Sequence, residues 1–214
     1  MSPTHYADLK PGEQSSRRFG THALLGVVMA RIHAFNAGRP PESRVALFPT
    51  GLPSAEGEPG DGAVRLFGSQ DNLENFLDDL VVQGLSANGH VIRPRVRQVP
   101  TGNHLMVAWM RTRLGDRMTV PYHERRQRRE TERFLAKGGE GRQPADSVAR
   151  LQRVSPSAGA ENHYVNVRSA STGSDFRMRM CAAEVSDVQA DAVGEIGTYG
   201  LSSLKKPYGL PSFD

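Results

Sequence analysis

The order in which strand-like and helical patterns succeed one another between residues 5 and 99 constrains this chain more than any other feature. HYADLK (His5–Lys10) alternates as a strand does. From about Ser16 to Ala37 the period turns helical. Leu24, Val28, Ile32 and Phe35 recur at i, i+4, i+8 and i+11, and Gly38 followed by Pro40 and Pro41 ends the run. Ser43–Phe48 (SRVALF) and Ala63–Phe67 (AVRLF) read as strands separated by a Gly/Pro-rich loop. Ser69 is placed to cap a helix reaching about Val82, with Leu73, Phe76, Leu77, Leu80 and Val81 as its apolar face. Ala87–Val99 reads as a further strand in which Pro94 marks an edge or bulge. The series β-α-β-β-α-β predicts a ferredoxin-like, split βαβ domain over residues 1–100 of an α+β protein. RNA binders of the RRM type share that order, but neither candidate central strand shows the RNP aromatic signature, and fold alone assigns no activity.

Residues 101–214 read as a smaller α+β domain carrying an arginine-rich helix. His104–Arg113 (HLMVAWMRTR) is a strand pattern ending in Arg111 and Arg113, which are two apart and so share a face. Between Trp109 and Lys137 eight arginines stand against four acids. Tyr122–Lys137 contains no Gly or Pro, and at helical spacing Arg125, Arg128, Arg129 and Arg133 fall on one broad face, with Glu124, Glu130 and Glu132 elsewhere. Such a run is either a solvated helix laced by i,i+4 ion pairs or a helix that binds nucleic acid. Few acids lie on the arginine face, and a planar guanidinium matches phosphate oxygens or the edge of guanine, so we take the second as the premise. The charge balance agrees: 27 basic and 23 acidic residues leave only +4, yet the pI is near 9.5. That points to a local excess and a polyanionic partner met through one face. A Gly-rich break and a short segment near Asp146–Leu151 follow. Asn162–Arg168 and Phe176–Ala182 then alternate like a hairpin around SASTGSD.

Several chemistries lack support. The single cysteine, Cys181, allows no internal disulfide and fits a reducing cytoplasm. The first residues are too polar for a signal peptide, and no run approaches a membrane span, so no membrane partner is expected. The histidines show no ligand spacing, and neither a phosphate-binding G-x-x-x-x-G-K-[ST] loop nor a G-x-S-x-G elbow occurs, so no metal and no cofactor is expected. His33, near the end of the first helix, reads by itself as a boundary histidine donating to a carbonyl. Arg168–Gly173 (RSASTG) places the hydroxyls of Ser169, Ser171 and Thr172 at a glycine turn between Arg168 and Arg177. It is either a pocket suited to a phosphodiester or simply a hydroxyl-rich hairpin turn.

Read together, VRSASTGSDFRMRM and GTYGLSS resemble the C-terminal half of the type I-F CRISPR-associated endoribonucleases that process precursor CRISPR RNA, the Csy-type repeat endonucleases of the Cas-six family. ARIHAFN (30–36) is similar to that family's N-terminal helix motif, and HYADLK and RVALFP to its first two strands, so the resemblance spans nearly the whole chain in family order. It implies that His33 is the catalytic histidine, Ser169 the active-site serine and Tyr199 the tyrosine lining the site. By the same resemblance Ser171 and Thr172 contact RNA near the scissile phosphate, and Phe176 stacks on the terminal base pair of the stem. Arg128, Arg129 and Arg133, with Arg125 on their face, enter the major groove, and Arg111 and Arg113 read the base pairs beside the cut. Where the family commonly has Arg-x-Gln this chain has Arg111-Thr112-Arg113, which favours guanine at the second position. Glu130 and Glu132 also depart from the pattern.

The implied function is a metal-independent endoribonuclease that cuts at the base of a CRISPR repeat stem-loop by 2′-OH attack, leaves a 2′,3′-cyclic phosphate and stays on the hairpin. It implies as partners the repeat RNA and the other subunits of a type I-F surveillance complex. That complex serves defence or is recruited by a transposon, with a transposition protein as partner in the second case. The alternatives are an RNA-hairpin-binding subunit with weak or no cleavage and a duplex-DNA binder using the arginine helix.

Overall fold

The structure, a computed structural model, describes residues 3–18, 21–50, 52, 62–112, 120–136, 138, 163–169, 173–185, 194–203 and 206–213. It divides into two compact units, Met1–Arg111 with Glu161–Asp214 and, separately, Thr112–Ala160.

In the first unit the N-terminal elements run β1 (His5–Leu9), α1 (Glu13–Arg18), α2 (Thr21–Asn36), a 3-10 turn (Pro41–Ser43), β2 (Ala46–Pro49), β3 (Val64–Gly68), α3 (Gln70–Leu77), α4 (Leu80–Ala87) and β4 (Val96–Gln98). The sheet order is β2-β3-β1-β4 with every pair antiparallel. This is the split βαβ arrangement expected: β1 and β2 run the same way with β3 between them. A second antiparallel sheet, β6-β7-β5-β8, is built from β5 (Leu105–Thr112), β6 (His163–Arg168), β7 (Asp175–Glu184) and β8 (Leu210–Ser212). The hairpin pairs Val167 with Phe176 and Arg168 with Asp175. The C-terminal segment supplies β8, paired with β5 from Leu105↔Ser212 to Val107↔Leu210.

Three local expectations change. The single helix read from about Ser16 is instead a separate α1 over Glu13–Arg18 and an α2 that begins at Thr21. The helix expected through Val82 breaks at Asp78, and α4 restarts with Asp79 as its N-cap, accepting from the amides of Val81 and Val82. The restart shifts the helical phase: Val82 is buried, whereas Leu80 is 85% and Val81 40% exposed. The strand expected over Ala87–Val99 contracts to Val96–Gln98, because α4 runs to Ala87 and Pro94 has no N–H to donate to a ladder. Ser69 caps α3 as read, accepting from the Asn72 amide.

One core joins both sheets and α2, with Phe67, Phe76, Leu25, Met29, Ile32, Leu47, Val165 and Met180 all buried. The register partners Tyr6↔Phe67 and Asp8↔Arg65 share one side of the first sheet. RRM proteins leave the equivalent side open to stack bases. Here it is closed. Phe213 packs edge-on to Tyr6 at 5.0 Å and to Phe67 at 6.1 Å, and Trp109 of β5 meets Phe48 at 6.3 Å. Arg65, only 7% exposed, binds both Asp8 oxygens at 2.7 and 3.2 Å, donates to the Phe213 carbonyl at 2.5 Å and lies over the Phe213 ring.

On the helical side Arg31 of α2 pairs with Asp79. Burial pushes the Asp79 carboxyl up, but hydrogen bonds from Arg31 and the Val81 and Val82 amides, with the Arg31 charge, together hold it below the usual carboxylate value. A carboxylate depressed in the folded state stabilises fully above its unfolded pKa and is lost as pH falls through the lower folded value. Urea midpoints measured on acidification from about pH 5 are therefore expected to fall less steeply for Asp79→Asn than for wild type. Arg65→Ala, which strands the Asp8 carboxylate, is expected to cost about 3–5 kcal/mol in the same assay.

Candidate active site

The C-terminal end of α2 is held from below by a polar residue on the core stripe. Asn36 continues the i+4 row of Val28 and Ile32, and its side chain is fully buried. The carboxamide oxygen accepts from the Val45 amide at 2.9 Å, while the nitrogen donates to the Val45 carbonyl at 2.9 Å and the Thr198 carbonyl at 3.2 Å. The helix end, the start of β2 and the turn at 197–200 are thereby tied at one point. That turn closes with Gly200 N to the Gly197 carbonyl at 3.0 Å, and Leu47 N donates to the Gly200 carbonyl at 2.8 Å, so it lies along the outer edge of β2. Gly200 has φ +77, and a Cβ there would come 2.9 Å from Leu47 Cβ and 3.1 Å from Ile32 Cγ2. Only glycine fits.

These constraints set Tyr199 against His33, with the two rings stacked at 4.1 Å and 5°. Phe176 of β7 meets the Tyr199 ring edge-on at 6.2 Å, and the Arg111 guanidinium sits 5.8 Å from the Phe176 ring. His33, Tyr199, Phe176 and Arg111 thus form one row drawn from α2, the 197–200 turn, β7 and β5. His33 is half-buried, and its Nδ1 is buried with no hydrogen-bond partner among the described residues. An unsatisfied buried nitrogen costs about 1–3 kcal/mol, and such costs collect where a site serves something other than stability.

Ser169 directly follows β6, one turn from the Val167↔Phe176 pair. Its amide donates to the Ser174 carbonyl at 2.9 Å and its carbonyl accepts from Gly173 N at 2.9 Å. Gly26 of α2 lies so close to β6 that a Cβ would be 2.1 Å from the Asn166 carbonyl oxygen. That close approach leaves no room for a side chain where α2 packs on β6. Ser171, Thr172 and Arg113 lie outside the described residues.

Arg125, Arg128, Arg129 and Arg133 belong to the second unit, on α5 (Val120–Ala136). The helix begins two residues earlier than its Pro-free stretch, since a proline in the first turn forfeits only an amide without an intrahelical partner. All four arginines are exposed. Glu132, read as lying off the arginine face, does reach it. Its carboxylate accepts from Arg128 Nε at 3.0 Å across an i,i+4 step, with the side chains 82% and 60% exposed. Such a pair contributes a few tenths of a kcal/mol and yields readily to a stronger anion.

Among the described residues no group of three or more His, Cys, Asp or Glu side chains is arranged to hold a metal ion, and no helix is long and apolar enough to cross a membrane. Burial pushes the Cys181 thiol up, which disfavours the nucleophilic thiolate. Asn36 and Gly200 were missed in the sequence. A polar residue in phase with a buried stripe was the signal for the first; nothing local marks the second.

Tyr199→Leu is expected to move the His33 ring-proton resonances downfield as the stacked ring's shielding is lost. Gly200→Ala should do the same while keeping the tyrosine, and unchanged shifts in both variants would refute the stacked arrangement.

The sequence matches the family described as CRISPR-associated protein (Cas_Csy4) over residues 6–213. No individual curated protein matches it.

Proposed function

The chain belongs to the Csy4 family of CRISPR-associated proteins, endoribonucleases that process CRISPR repeat RNA, and from that premise we propose that it cuts the precursor at the base of the repeat stem-loop by 2′-OH attack, without a metal ion. The observation carrying this reading is the His33–Tyr199 stack, buttressed by Phe176 and Arg111. A base, an orienting aromatic, a ring able to cap a base pair and a cation stand in one row. The closed face of the first sheet also argues against RRM-style reading of unpaired bases there.

In this mechanism His33 takes the proton of the ribose hydroxyl just upstream of the cut. The 2′ oxygen bonds to phosphorus as the bond to the 5′ oxygen breaks, and the departing oxygen takes up a proton. The products end in a 2′,3′-cyclic phosphate and a 5′-hydroxyl. Tyr199 holds the imidazole plane, Ser169 orients the 2′-OH, and Ser171 and Thr172 contact the phosphate. Phe176 stacks on the terminal base pair. Arg111 and Arg113 read the adjacent pairs, the second favouring guanine, and Arg125, Arg128, Arg129 and Arg133 grip the stem. The grip outlasts the cut, so the protein stays on the hairpin within a type I-F complex in the cytoplasm, beside the other subunits or a transposition protein.

His33→Ala is expected to lower the cleavage rate by about 10²-fold or more in excess EDTA, with hairpin affinity unchanged. A 2′-deoxy ribose at the cut should abolish cleavage by wild type. Tight binding without cleavage by either protein would instead mark a subunit that only holds the hairpin. Exchanging the guanine read by Arg113 for adenine should cost about 1–3 kcal/mol in binding.

A further inference from the structure

A second basic surface lies across the first sheet from the His33 site. β2, whose outer edge carries the Gly200 turn, and β4 are opposite edges of the sheet, about 14 Å apart over three strand spacings. Along β4 and the residues before it, Arg93, Arg95 and Arg97 alternate with Pro94 and Val96. The arginines are exposed and the residues between them half-buried. Arg97 is the register partner of Tyr6, so the row borders the side of the sheet sealed by Phe213. Lys10 joins it through the hydrogen bond from Ile92 N to its carbonyl at 2.9 Å. The four cations line a groove of about 270 Å³ with Ile92, Pro94 and Asp8. Asp8, the only acid among the described residues lining it, is already held by two nitrogens of Arg65. Among the described residues none of the three arginines forms an ion pair. On the helical side Arg93 and Arg95 border a separate groove with Glu74 and Asp78, whose carboxylates accept from Gln70 and Gln83.

Charges on an edge strand also deter strand pairing. One or two suffice for that, and they need no groove. Here the charges repeat at every second residue, about 6.6 Å apart on extended backbone, a spacing that suits successive phosphates of an extended nucleic-acid strand better than a duplex surface. Ile92 and Pro94 offer an apolar floor with no aromatic platform, so contact would follow the backbone without choosing bases. We propose that this row is a second RNA contact, taking single-stranded RNA that flanks the repeat stem-loop. The inference rests on the repeat-RNA reading above. It extends the footprint from the stem to the strand leading to or from it.

The test compares wild type with Arg93→Ala/Arg95→Ala/Arg97→Ala by salt titration of binding. The probes are the stem-loop alone and the stem-loop with a short single-stranded extension on its 5′ or its 3′ side, each 2′-deoxy at the cut so that it stays intact. These side chains are exposed, so the variant should melt as wild type does. The extension is expected to tighten wild-type binding and steepen its log–log salt slope by about 2, three single-strand phosphate contacts at roughly 0.7 each. The variant should lose that gain yet bind the bare stem-loop equally. An extension that adds nothing for wild type, or adds as much for the variant, overturns the proposal and leaves the hairpin reading intact. Failure of both proteins to bind the bare stem-loop overturns the repeat-RNA reading and this inference with it.

Discussion

A buried carboxamide must find partners for both its ends, and in this protein that requirement organises the candidate site. The oxygen and nitrogen of Asn36 are used up by the backbone of Val45 and the carbonyl of Thr198. Neither partner is close in sequence to the other, so three chain segments meet only where those groups converge. His33 sits one helical turn before Asn36 and Tyr199 one residue beyond its partner Thr198, and the stack between them inherits that geometry. A buried amide left without a partner costs about 1–3 kcal/mol, so the arrangement resists small displacements. Gly200 removes what freedom is left, since Leu47 and Ile32 occupy the space a side chain would need.

Arginine serves several ends here, and its abundance alone does not outline an interface. Arg65 is a buried cross-brace between sheet and tail, Arg31 braces a helix start, and Arg44 donates to the carbonyls of Arg39 and Ile196 at 2.9 and 2.6 Å. These guanidiniums are committed to the protein's own oxygens. Arg125, Arg128, Arg129 and Arg133 of α5, and Arg93, Arg95 and Arg97 on and before β4, are exposed instead, with Arg128 held only by the surface carboxylate of Glu132. The high pI is a mixture of the two kinds, and only burial and partners separate them.

That separation marks where the sequence was legible. Periodicity located β1, α2, β3 and the β6–β7 hairpin, because a face buried against a single neighbour leaves a regular trace. It ran α3 and α4 together, because Asp79 reads equally well inside a polar helix face and at a helix start. It overextended the strand before Val99, where Pro94 and the end of α4 leave three residues able to pair. The site itself was visible only through resemblance. His33 alone reads as an ordinary boundary histidine, and no local pattern joins it to a tyrosine more than 150 residues away. No local pattern marks the tail, because its strand and its aromatic anchor find their partners far back in the chain.

The closure of the first sheet by Phe213 also sets a schedule. Tyr6, Asp8 and Arg65 emerge early in synthesis, whereas the ring and carbonyl that cover them emerge almost a whole chain length later, as does Tyr199. Until then a nascent chain carries a bared aromatic sheet face, an arginine not yet fully partnered and a histidine without its stacking ring. Contacts so distant in sequence form slowly and only after the chain has looped back on itself. The order of synthesis thus sets two separate completions: a chain that has not reached Tyr199 lacks the ring stacked on His33, and one that has not reached Phe213 lacks the ring and carbonyl that cover Tyr6 and Arg65.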